Sequence, residues 1–151
     1  MKNMIFFSAM VLALFVLSGT LTANDAEKKA VMSVVEEAYV KGVHADPSGE
    51  AMRKGFHPDF IMFVQDGEKI TKVTRDEWIT RIEAGKAKNS GAPKPAVKHE
   101  FPVVEVNGKA AIVRVELYKD GKHVFTDFIS LYKFEDGWKL VAKIFYRHPN
   151  S

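Results

Sequence analysis

The chain contains no cysteine, which excludes a disulfide framework, a thiolate zinc site and a cysteine nucleophile. A lipid anchor goes with it, since no cysteine follows the N-terminal apolar run. An excess of one charge sign is also lacking: 22 basic side chains stand against 19 acidic ones, and no run of lysines is longer than two. That balance leaves no basic stripe for a nucleic-acid partner. Phosphate loops, dinucleotide fingerprints and Gly-x-Ser-x-Gly elbows are missing as well, so reactions built on those devices are disfavoured. One long apolar run occurs, over residues 5–17, and it is shorter than the ~20 residues a membrane span needs.

That run has the layout of a signal peptide: Lys2 before it, small residues after it, and Leu21-Thr22-Ala23 as a cleavage site. Residues 1–23 are expected to be removed, leaving residues 24–151 as a single domain of 128 residues. A domain of that size buries roughly two thirds of its unfolded surface, enough for a core without staples. Export without disulfides points to a periplasmic or secreted protein with no membrane attachment after cleavage.

Ala30, Val31, Val34, Val35, Ala38 and Tyr39 recur at helical spacing. They predict one amphipathic helix over residues 24–43, capped by Asn24 or Asp25 and ended by Gly42. Asp46-Pro47 suits the N-cap and first position of a second helix, reaching about residue 54. Phe56-His57-Pro58-Asp59 reads as a turn into a strand over residues 60–65, and Asp66-Gly67 as a tight turn into another over residues 69–73. Thr74 and Glu77 have capping-box spacing, which starts a third helix that Gly85 stops. After a loop over residues 86–95, four long strands turn at Asn107-Gly108, Asp120-Gly121 and Glu135-Asp136-Gly137. The order gives an α+β fold, with three N-terminal helices packed on a curved antiparallel sheet and a cone open at one end.

This order of elements resembles the nuclear-transport-factor-2-like (NTF2-like) superfamily. The residues that carry the resemblance are Tyr39-Val40-Lys41-Gly42 with Asp46, Phe56-His57-Pro58-Asp59, Phe125-Thr126-Asp127-Phe128-Ile129-Ser130-Leu131 and Gly137-Trp138-Lys139-Leu140-Val141-Ala142-Lys143. They are most similar to the branch described as "putative lumazine-binding", which shares its cone-shaped fold with ketosteroid isomerase, scytalone dehydratase and polyketide cyclases. The resemblance implies a pocket between helices and sheet and a homodimer formed through the outer sheet face. It implies no particular reaction.

Asp127 is the sharpest chemical candidate, because strand alternation sets it on one face with Phe125, Ile129 and Leu131. A carboxyl buried there could act as a general acid or base; alternatively it pairs with Lys143 or Arg114 as a structural ion pair. His57, two residues before Asp59, is either an oriented base or part of a turn. The expected ligand-binding residues are Tyr39, Phe56, His57, Phe63, Trp78, Asp127 and Lys143, with Tyr146 a further aromatic candidate for the pocket wall. His44-Ala45-Asp46 repeats the His-x-Asp pattern, but Asp46 is accounted for as a cap. His99 opens a strand near the cavity mouth or at an exposed edge, while His123 and His148 are expected in solvent. No metal and no cofactor are therefore expected. The leading reading is an exported protein that binds a small molecule in a conical, partly aromatic pocket. Its alternatives are an isomerase or dehydratase that moves a proton through Asp127 or His57, and a non-catalytic dimeric interaction module.

Overall fold

A computed structural model describes residues 22–149. All but the last two positions of the expected signal peptide lie outside the described residues. The first helix, α1 (Ala23–Val34), is capped by Thr22, two residues before Asn24 and three before Asp25, the expected caps. Thr22 Oγ1 accepts the Asp25 N–H at 3.2 Å, and an Asp25 carboxylate oxygen accepts the Thr22 N–H at 3.3 Å. The two orphan amides are thereby satisfied reciprocally.

The helix does not end at Gly42. It continues as a π-helix over Val35–Ala45, closed by Asp46 N–H donating to the Lys41 carbonyl at 2.8 Å. Gly42 serves packing instead: a Cβ there would meet the Ala51 Cβ at 3.2 Å in the following helix. That helix, α2 (Gly49–Gly55), takes its N-cap from Ser48 rather than Asp46. Asp46 has swung out to Lys94 and Lys86, at 2.9 and 3.6 Å. Gly55 is buried so closely that a Cβ would stand 2.2 Å from that of Ala38.

Strand β1 (Phe56–Asp66) absorbs the expected His57-Pro58-Asp59 turn, and β2 (Lys69–Thr74) returns through Gly67 at φ +56°. Thr74 and Glu77 form their capping box at the start of α3 (Arg75–Lys88), which runs three residues past Gly85. The meander follows as β3 (Val97–Asn107), β4 (Ala110–Lys119), β5 (Lys122–Phe134) and β6 (Gly137–Arg147). The six strands form one sheet in the order β2-β1-β6-β5-β4-β3. The sheet is not antiparallel throughout as expected, because β6 lies parallel to β1. The meander crosses the sheet and returns its last strand to the first hairpin.

Alternation divides the sheet into two faces. Phe60, Met62, Val113, Val115, Leu117, Ile129, Leu131 and Leu140 face the helices and form the core with Val31, Val35 and Tyr39. Burying each such large side chain contributes about 1.5–3 kcal/mol. Ile112, Phe128, Tyr132, Ile144 and Tyr146 lie on the opposite face and are about half exposed. Among the described residues no helix is long and apolar enough to cross a membrane.

Candidate functional site

Asp127 and Lys143 are the only charged side chains in the buried class among the described residues, and they meet each other. The register pairs Asp127 with Phe145 and Ile129 with Lys143, so the acid and the base are diagonal neighbours on the inner face of β5 and β6. Lys143 Nζ donates to one carboxylate oxygen of Asp127. Tyr39 Oη donates to the other at 2.5 Å. Both oxygens are thus engaged, and Asp127 sits behind the Lys143 ammonium. Burial lowers the Lys143 pKa from the ordinary lysine value, Asp127 opposes that, and Arg147 adds to it. Burial also pushes the Tyr39 phenol well above its usual range, with the Asp127 charge reinforcing it. The phenol therefore holds its proton and works as a donor.

The ammonium faces four aromatic rings. It lies 4.1 Å from the centroid of Phe145, 5.2 Å from Tyr39, 5.7 Å from Trp78 and 5.9 Å from Phe125. Each is within cation–π range. Trp78 is held in place by Phe60, stacked at 5.9 Å, and by Phe56, edge-on at 5.7 Å. Between this cluster, the π-helix, α3 and the ends of β5 and β6 lies a cavity of about 290 Å³. Tyr39, Trp78, Phe125, Phe145 and Lys143 line it, together with Val43, His44, Met62, Ile82, Lys119 and Arg147. None of these lining residues is acidic.

His44 is the residue the sequence pattern hides. In an α-helix, positions five apart point about 140° away from each other. The i→i+5 bonding of a π-helix stacks them, which puts His44 beside Tyr39 with ring centroids 4.9 Å apart, edge to face. Its Nε2 is enclosed and has no hydrogen-bond partner. Burial holds the imidazole well below the ordinary histidine value, and the charges of Lys119 and Lys143 push the same way. A neutral ring with a bare nitrogen in a cavity wall is ready to exchange a hydrogen bond with an occupant.

The other expected residues are placed as follows. Tyr39, Trp78 and Lys143 border the cavity, and Asp127 stands directly behind them. Phe56 supports Trp78 from the core without bordering the cavity. Phe63 lies one position from Met62 and so takes the opposite face of β1. Tyr146 likewise turns outward, and its neighbour Phe145 points in. His57 is elsewhere: it stacks on Phe134 at 4.6 Å, and its Nδ1 accepts the Asp59 N–H at 3.2 Å. Nor does Asp127 reach Arg114, which turns to Glu116 on the outer face. His99 packs against Phe101 on β3. A larger groove of about 720 Å³ opens to solvent at the other end of β6, where Glu27 binds Trp138 Nε1 and Lys133 Nζ at 2.8 and 2.5 Å. It mixes acids and bases without burying them.

A six-stranded mixed sheet with helices on its inner face is the architecture of the NTF2-like proteins, and solved structures agree. The chain is similar to an NTF2-like protein of unknown function from Shewanella baltica OS155, with 28% identity over 83% of this chain and 96% of that one, at a TM-score of 0.67. NTF2-like proteins from Silicibacter pomeroyi DSS-3 and Methylobacillus flagellatus KT match at 22% and 23% identity, with TM-scores of 0.63 and 0.64. They cover 80% and 85% of this chain and 94% and 98% of their own, and at that identity they speak for the fold alone. The chain belongs to the family described as "Putative lumazine-binding", whose model matches residues 26–146. No curated protein matches it.

Proposed function

We propose that the protein is an exported binder of a small, flat, anionic molecule, held in a conical cavity between the helices and the sheet. The observation that carries this reading is the cavity wall: aromatic faces from Tyr39, Trp78, Phe125 and Phe145, positive charge from Lys119, Lys143 and Arg147, and no carboxylate. Stacking surface and positive charge with no carboxylate in the wall are what a planar acid requires, and Lys119 and Arg147 supply the charge that Asp127 does not balance. The cavity volume of about 290 Å³ suits a one- or two-ring compound. The family's description names lumazine, a two-ring heterocycle, which belongs in any panel of trial ligands. In this reading Asp127 is the anchor of Lys143 rather than a contact of the ligand. An isomerase or dehydratase centred on Asp127 would need a carboxylate oxygen aimed at substrate, and both are taken by Lys143 and Tyr39. The half-exposed apolar row Ile112, Phe128, Tyr132, Ile144 and Tyr146 supports, as a further part of the proposal, a homodimer through the outer sheet face.

Native mass spectrometry of protein from a periplasmic extract reads all three elements at once. The expected spectrum is a dimer of chains beginning at Asn24, with a small molecule that leaves on activation. A full-length mass would overturn export, a monomer the dimer, and an empty protein across several growth conditions the binding role.

A further inference from the structure

On the outer sheet face, away from the cavity, three metal-ligating side chains converge from three strands. Alternation alone would not bring them together. Thr126 lies between Glu116 and Tyr146 in the cross-strand register and shares their outward face. His123 is three residues from Thr126, which in a regular strand means opposite faces. The register slips here, however: Leu117 pairs with Phe125 and Tyr118 with His123, leaving Val124 as an extra residue. This bulge turns His123 outward beside Glu116. His148 follows β6, two residues beyond the outward Tyr146.

The ligand atoms of Glu116, His123 and His148 all lie within 4.8 Å of one another. His123 Nε2 is 2.9 Å from Glu116 Oε2, and the Thr126 hydroxyl bridges Glu116 Oε2 at 2.5 Å and His148 Nε2 at 3.0 Å. The two imidazoles are stacked with centroids 3.7 Å apart. Tyr118 stacks on His123 at 4.7 Å, and Tyr146 meets His148 edge-on at 5.0 Å. The rings are therefore braced on their outer sides, with His123 Nε2 on the Glu116 carboxylate and His148 Nε2 joined to it through the Thr126 hydroxyl. Arg114 Nε lies 3.0 Å from the other carboxylate oxygen, Oε1, so Oε2 is the one left to the histidines. Ligand atoms about 2 Å from a common ion stand about 3–4 Å apart, so small side-chain rotations complete the set.

We propose that Glu116, His123 and His148 form a binding site for a first-row divalent metal ion, with zinc the best match. Two imidazole nitrogens and one carboxylate oxygen suit zinc's borderline character, whereas magnesium and calcium prefer all-oxygen shells. Three protein ligands leave the fourth coordination place open. Zinc binding at Nε2 would require both histidines to carry their hydrogen on Nδ1, ending the hydrogen bonds that the Nε2 atoms make to Glu116 and Thr126.

The test is calorimetric titration of ZnCl2 into chelator-stripped protein, paralleled by the visible spectrum of the cobalt(II)-loaded protein. One zinc per chain is expected, with tetrahedral-type cobalt absorption and an upward shift in Tm on loading. His123→Ala and His148→Ala should each weaken zinc binding at least tenfold, and Glu116→Gln should weaken it without disturbing the apo fold. His99→Ala, on β3, should leave binding unchanged. Absence of saturable zinc binding, or full binding in both histidine variants, would overturn the site.

Discussion

Asp127→Asn should destabilise the protein by about 3–5 kcal/mol, the range found when one partner of a buried ion pair is removed. The substitution keeps the shape and leaves Tyr39 an acceptor, so the loss isolates the charge. Without it the Lys143 ammonium is buried with only aromatic faces around it, and those are worth about 0.5–2 kcal/mol each. Lys143→Met should cost a similar amount, because it leaves a buried carboxylate held by one phenol. The double variant Asp127→Asn with Lys143→Met should recover most of the loss, since it removes both buried charges while the introduced amide can still accept from Tyr39. Urea unfolding at neutral pH gives all three values. If either single variant cost less than about 1 kcal/mol, the pair would not be buried as described.

Acidification should expose His44. The unfolded chain takes up a proton near the ordinary histidine value of 6.5, whereas burial keeps the folded imidazole neutral well below it. Between those two values the unfolded state binds more protons, so stability rises with pH there and is lost as pH falls from 6.5. The slope approaches about 1.4 kcal/mol per pH unit where the unfolded histidine is protonated and the folded one is not. His44→Gln keeps a polar side chain but removes the titration. Other groups cancel when the two proteins are compared, so the variant should lose less stability than wild type as pH falls from about 7 to about 5. Parallel pH dependences for the two proteins would contradict the buried, neutral assignment.

The hairpin from Phe125 to Tyr146 was legible in the sequence because alternation holds over Phe125 to Ile129 and Lys143 to Tyr146. Asp127, Phe125, Ile129 and Lys143 fall on one face by counting in twos, and the structure keeps them there. Failures of the same counting explain Phe63 and Tyr146. Each stands one residue from the inward position, and a single step changes the face. The capping box at Thr74 was legible because it is local chemistry. His44 was not, since its approach to Tyr39 depends on a π-helix that no apolar spacing announces. The grouping of Glu116, His123 and His148 was hidden for a similar reason: it depends on the bulge at Val124. The motif that drew attention in the sequence, His57-Pro58-Asp59, is satisfied locally within β1. The parallel pairing of β1 with β6 joins residues about 80 positions apart, and no local pattern reports it.

The central claim is that the cavity behind Trp78 accepts a planar acid. The chain has two tryptophans, so Trp138→Phe leaves Trp78 as the single reporter inside the cavity wall. Its fluorescence should be quenched saturably by a two-ring carboxylate such as 2-naphthoate, at least tenfold more tightly than by the matching carboxamide. That preference should vanish in Arg147→Gln or Lys119→Gln. Equal affinity for acid and amide, or no saturable quenching by any one- or two-ring acid, would contradict the account.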